Sequence, residues 1–173
     1  MNTRRAVVLA GGLALLGGCG FKLRQPPKLA FDTIRSPGNF ATPVARELMR
    51  ALEQTGVRVL PPEPPRQPGL PSPPSEPVDV VLDVLADQRE RAVVGITATG
   101  QVRELQLRTR FRFRLRSGQG ADLIEDSELL QTRDISFTET AVLGKEAEEA
   151  LMYKDMQTDI VQQVLRRLSV VKR

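Results

Sequence analysis

Arginine occupies every second position from residue 108 to residue 116: Arg108, Arg110, Arg112, Arg114 and Arg116. A guanidinium is a planar fork of donors that stays charged throughout the physiological pH range. A row of them suits phosphates, sugar acids or protein carboxylates. Glu125, Asp126 and Glu128 follow within cross-strand reach in some register, so the row is either a ligand-facing surface or a face balanced by neighbouring acids. Little other chemistry is available. The chain has no His and one Cys, Cys19, which excludes Cys/His zinc sites, Cys or His nucleophiles and His-based triads. Glu146, Glu148 and Glu149 read as charges at a helix N-terminus, and Ser127 and Ser136 have no base in sequence context. Ser117-Gly118-Gln119-Gly120 leads into a strand instead of a helix, so it is not a phosphate loop. Neither catalysis nor a metal or cofactor is expected. With six Phe, one Tyr and no Trp, base-stacking platforms are scarce and nucleic acid is not an expected partner.

The single cysteine acquires a meaning from its surroundings. Met1–Arg5 is short and polar with Arg4 and Arg5, Ala6–Leu16 is apolar and uncharged, and Gly17, Gly18, Cys19 and Gly20 follow. The apolar run is about half of what spans a bilayer, and the whole describes a secretory signal at 1–18. Leu16-Gly17-Gly18-Cys19 also resembles the lipobox of bacterial lipoproteins. That resemblance implies cleavage before Cys19 and acylation of its thiol and new amino terminus. The protein would then be held to a membrane almost permanently, with Gly20 in the second position implying outer-membrane sorting. Removing 1–18 leaves 155 residues, one domain's worth, and lowers the net charge from +4 to +2. Such a mild basic bias does not by itself argue for a polyanionic partner.

Residues 19–28 carry two prolines and read as a tether, leaving 29–173 as one domain. Leu29–Arg35 alternates like a strand with Leu29, Phe31 and Thr33 on one side. Thr42-Pro43 signals a helix start, with a hydroxyl N-cap and a proline where the missing N–H costs nothing. Val44, Ala45, Leu48, Ala51 and Leu52 form its apolar stripe, Gly56 its stop, and Val57–Leu60 a short strand. Pro61–Pro77 holds nine of the thirteen prolines. It reads as a surface insertion at 61–77 between two strands, since proline lacks the donor a sheet or helix needs. Val78, Val80, Leu82 and Val84 alternate on one face, and Gly95 and Gly100 mark a hairpin. Leu105, Leu107, Thr109, Phe111, Phe113 and Leu115 then interleave with the arginine row at a strict period of two, predicting a long strand with one core face and one charged face. Leu123–Phe137 returns antiparallel to it. Val142–Leu168 is a helix whose stripe comprises Leu143, Ala147, Ala150, Leu151, Val161, Val164, Leu165 and Leu168, with acids early and Arg166 and Arg167 late, as the macrodipole favours. The expected fold is α+β: two helices packed on one face of a mainly antiparallel four-stranded sheet.

Two blocks carry a family resemblance. The first is Gly18-Cys19-Gly20-Phe21-Lys22-Leu23-Arg24. The second runs from Arg133-Asp134-Ile135-Ser136-Phe137 through Ala141-Val142-Leu143-Gly144-Lys145-Glu146-Ala147-Glu148-Glu149 and Tyr153-Lys154-Asp155-Met156 to Arg166-Arg167-Leu168. In these the chain resembles the LPS-assembly lipoprotein family (LptE, also called RlpB). The resemblance implies two helices on a four-stranded sheet and no catalysis. It implies a plug in the lumen of the β-barrel protein LptD, aiding that barrel's assembly and the passage of lipopolysaccharide to the outer leaflet, with direct lipopolysaccharide binding in some members. Lys145 matches a lysine the family usually carries before its last helix. The turn near Gly100 has Ala98 and Thr99 where relatives can carry a basic residue, which leaves Lys145, Arg103 and the face of Arg108, Arg110, Arg112 and Arg114 as candidate contacts to lipopolysaccharide or barrel. The rival expectation is a free-standing periplasmic lipoprotein that binds or chaperones an anionic lipid or ligand, for which a closed apolar pocket is required.

Overall fold

The computed structural model describes residues 28–38, 41–63, 76–136 and 142–172. Cys19, the signal at 1–18, nearly all of the tether and the middle of the proline-rich insertion lie outside them.

The described chain forms β1 (Thr33–Arg35), α1 (Pro43–Gln54), β2 (Arg58–Leu60), β3 (Val80–Ile96), β4 (Val102–Ser117), β5 (Asp122–Ser136) and α2 (Val142–Ser169). They make one five-stranded sheet in the order β2-β1-β3-β4-β5. The class is the expected α+β, but the sheet has five strands and is mixed. The β3-β4-β5 meander is antiparallel, whereas β1 pairs in parallel with both β2 and β3. Parallel pairing leaves no hairpin signature in sequence, because the partners are far apart along the chain.

The predicted strand at 29–35 is shorter and differently faced. The Asp79 carboxylate accepts the backbone N–H of Asp32 and of Thr33, both at 2.9 Å, so the chain bends at Asp32 before entering the ladder. Ile34, fully buried, faces the core in place of Thr33.

α1 begins after Thr42 and Pro43, as predicted, but the Thr42 hydroxyl makes no capping bond. The cap comes from the sheet instead: Asp87 on β3 accepts the N–H of Val44 and of Ala45, each at 3.0 Å. Gly56, at φ +91°, ends the helix where a side chain would be strained.

Both helices lie on the same side of the sheet. Val44, Ala45, Leu48 and Leu52 of α1 meet Ile160, Val161, Val164, Leu165 and Leu168 of α2 over Leu82, Phe111, Phe113 and Leu115. A smaller cluster of Leu105, Leu107, Ile135, Tyr153 and Met156 continues toward the hairpin tip. Full burial of each such side chain is worth roughly 1.5–3 kcal/mol. The apolar face of β4 is thus as the period predicts. The first half of the α2 stripe is not: Ala147, Ala150 and Leu151 are exposed, and Tyr153 and Met156 are buried in their place.

Gly118 in the β4–β5 turn donates its N–H to the Asp79 carbonyl at 2.8 Å. A Cβ there would lie 1.9 Å from the Val78 carbonyl oxygen, so the turn can nest against the entry to β3 only as glycine. The β1 N-terminus, the β3 entry and the β4–β5 turn therefore share one end of the sheet, and the Thr97–Gln101 hairpin forms the other.

Candidate functional site

With both helices on one side, the described residues leave the arginine row of β4 uncovered on the other. Its charges are not equally free. Arg114 approaches Asp83 on β3 at 3.1 Å, and Arg116 places Nε and Nη2 at 2.8 and 2.9 Å from the two oxygens of the same carboxylate. Burial opposes the charge on Asp83, but the hydrogen bonds from Arg116 and Arg114 prevail and hold its carboxyl below the usual range. Arg112 forks onto Asp126 of β5, whose carboxyl is lowered chiefly by that hydrogen bond. Glu128 lies opposite Arg112 in the register, 4.0 Å from Arg112 and 3.9 Å from Arg110.

Toward the hairpin the neutralisation thins. Among the described residues Arg110 has only the distant Glu128, whose Oε1 lies 3.9 Å from its buried Nε without a hydrogen bond. Arg108 donates to Gln106 at 2.8 Å, which in turn donates to Asp134 at 2.9 Å. Glu90 stands opposite Arg108 across the β3–β4 ladder, yet among the described residues no ion pair joins them. Leu130, half-exposed, sits opposite Arg110. Arg108, Arg110 and Leu130 therefore form the part of this face with spare cationic and apolar capacity, an arrangement suited to an anionic amphiphile or to an acidic protein wall with apolar spots.

The other predicted contacts are not part of this cluster. Lys145 lies in the first turns of α2, on the helical side, and binds Glu148 at 2.7 Å. Arg103 is exposed near the start of β4, out of step with the even-numbered row and at a register shift against β3. The open sheet face holds Arg108, Arg110, Arg112 and Arg114, Lys145 lies on the helix side, and Arg103 belongs to neither group.

Sequence reasoning missed the residue that organises half of the face. Asp83 is on the strand preceding the arginines, not on the returning one where Glu125, Asp126 and Glu128 drew attention. Its only signal was that an aspartate interrupts the apolar run from Val80 to Val84 on a strand about to pair with arginines. A second polar seam joins the helices to the sheet. The Arg89 guanidinium sits 5.1 Å above the Tyr153 ring and bonds Gln157. Gln157 and Thr158 both donate to Glu47 of α1, and Arg91 lies 3.6 Å from Glu149. Burial and the Glu149 charge push the Tyr153 phenol up, so it remains a donor to the Glu90 carbonyl at 2.7 Å.

Among the described residues no group of Cys, His, Asp or Glu is placed to hold a metal ion, and no helix is long and apolar enough to cross a membrane.

Comparison with known proteins places this geometry. The family model described as "LptE: Lipopolysaccharide-assembly" matches residues 28–168. The solution structure of an uncharacterized lipoprotein B from Nitrosomonas europaea superposes with a TM-score of 0.67 at 29% identity, covering 87% of this chain and 90% of that one. The rare lipoprotein B of Shewanella oneidensis gives 0.61 at 18% identity, covering 79% and 93%. A minor lipoprotein of Acinetobacter baumannii gives 0.59 at 19%, covering 82% and 93%. The last two show likeness of fold alone. No curated sequence matches significantly.

Proposed function

The chain belongs to the LptE lipopolysaccharide-assembly family, and from that premise we propose that it is the outer-membrane lipoprotein subunit of the lipopolysaccharide translocon. It is anchored through acylated Cys19, fills the lumen of the LptD β-barrel, helps that barrel assemble, and aids delivery of lipopolysaccharide to the outer leaflet. The family match supports lipopolysaccharide assembly and a membrane-associated place in the envelope. The observation that carries the finer reading is the sheet face left open by both helices. A plug needs a polar outer surface against a barrel lumen that is itself polar, and the row from Arg108 to Arg116 supplies one. The role is non-catalytic: residues 19–173 supply shape, charge and an anchor.

A free-standing carrier fits less well. Such a protein encloses its ligand, but the space between helices and sheet is taken up by Leu48, Leu52, Phe111, Phe113, Ile160 and Leu168, all fully buried.

Purification of the tagged lipoprotein from detergent-extracted outer membrane tests the plug. A stoichiometric barrel protein is expected to accompany it. A clean lipoprotein, under conditions that keep membrane complexes intact, would reject the plug and favour the carrier.

A further inference from the structure

A shallow groove of about 540 Å³ lies between the start of β5 and the end of α2, lined by apolar Leu123, Ile124, Val170 and Val171 together with the cations Arg167 and Lys172. Val170 is 75% exposed, and Arg166, one step from Arg167, is exposed as well. Of the nearby acids, Asp126 is engaged by Arg112 on the opposite face, Asp122 stands opposite Arg116 in the strand register and supports its charge, and Glu125 is exposed beside Ile124. An apolar trough flanked by uncommitted cations is the pattern of a surface that settles into the boundary between lipid headgroups and acyl chains.

The position of the groove names its occupant. Leu123 follows the β4–β5 turn, and Gly118 of that turn is bonded to Asp79, whose carboxylate holds Asp32 and Thr33. The groove is therefore at the end of the sheet where the chain arrives from Lys28, about three strand spacings, or ~14 Å, across from β1. From Cys19 to Lys28 the backbone spans at most about 30 Å. The Thr97–Gln101 hairpin is a further ~50 Å away along β3, so it lies outside the reach of acyl chains on Cys19 while the groove lies within it. We propose that, before the body enters the barrel, this groove rests on the anionic phospholipid surface of the membrane that holds the anchor, making a second, non-covalent contact that orients the body with β3 and β4 pointing away from that surface. The inference rests on the lipid-anchor reading of Cys19.

The test uses the full-length lipoprotein with Val170→Cys labelled by an environment-sensitive fluorophore, Cys19 being blocked by its lipid, and an Ile96→Cys counterpart at the opposite end. Both are reconstituted into vesicles of phosphatidylethanolamine with phosphatidylglycerol, and into vesicles of phosphatidylcholine alone. A blue-shifted emission at position 170 in the anionic vesicles, with position 96 unchanged, is the expected result. Arg167→Glu with Lys172→Glu should abolish most of that shift, each cation strengthening adsorption about fivefold. Emission at 170 that is the same in both vesicles, or an equal response at 96, overturns the proposal. A shift that appears only when a barrel protein is added also overturns it, in favour of a protein contact. Flotation separates the two readings: a lipoprotein that does not float refutes the anchor and the groove together, whereas one that floats with an unresponsive position 170 refutes the groove alone.

Discussion

At the scale of single residues, the open face divides into arginines that hold the fold and arginines that are available. Asp83 joins Arg114 and Arg116 from a largely buried position, and Asp83→Asn would remove the carboxylate to which both guanidiniums are hydrogen-bonded. The expected loss is about 2 kcal/mol, or roughly 4–8 °C in thermal midpoint, measured by thermal denaturation followed by circular dichroism. Because the folded chain holds Asp83 below its ordinary pKa, this contribution is complete above the ordinary aspartate value and disappears as pH falls through the folded one. Urea midpoints should be level from neutral pH to about 5 and fall below about 4. The Asp83→Asn profile should be flatter over that lower window, and parallel profiles would reject the assignment. Arg108→Glu with Arg110→Glu should behave in the opposite way, lowering barrel co-purification or lipopolysaccharide binding at least tenfold with little change in thermal midpoint. Unchanged binding in both assays would remove this face from the site. The arginine row itself was legible in the sequence, but the division within it was not. It depends on the β3–β4 register, and that register is shifted by a bulge between Val84 and Ala86 which no residue pattern announces.

At the scale of elements, legibility followed locality. β4 has a period of two from Leu105 onward, and every position expected in the core is buried, from Leu105 to Leu115. α2 was harder, since Ala147, Ala150 and Leu151 give a plausible stripe that ignores the larger side chains one step round the helix. Tyr153 and Met156 win the interior because they fill more of it, and the Tyr153 hydroxyl is satisfied by Glu90 on β3. The start of α1 was read correctly and its cap wrongly, since a cap from another element has no local spacing. Asp87→Ala should therefore cost about 1–2 kcal/mol, whereas Thr42→Ala should cost much less. Equal losses in chemical denaturation would return the cap to Thr42. Gly118→Ala forces the turn off the Val78 carbonyl and should lower the thermal midpoint by several degrees, about 2 kcal/mol in a domain of this size. A midpoint within a degree of the parent would show that the turn has room to shift.

At the scale of the whole molecule, one buried side chain fastens both roots of the proline-rich insertion. Arg35 on β1 bonds the Glu63 carboxylate and the Glu76 carbonyl, each at 2.7 Å, and Arg58 on β2 holds the Glu76 carboxylate. Replacing residues 64–75 by a short Gly-Ser linker should thus leave the thermal midpoint nearly unchanged, since loop length alters closure entropy by only about 0.6 kcal/mol per doubling. A large drop would show that the insertion supports the body. The parallel contact between β1 and β3 has a further consequence, in time instead of energy. Thr33 and Asp79 are 46 positions apart, whereas β3, β4 and β5 are joined by tight turns. Local hairpins close in microseconds, and distant pairings wait on a costlier loop closure. The meander should therefore assemble first as a template, with β1 zipping onto it afterwards. Substitutions in β1 should then accelerate unfolding and leave the refolding rate almost untouched.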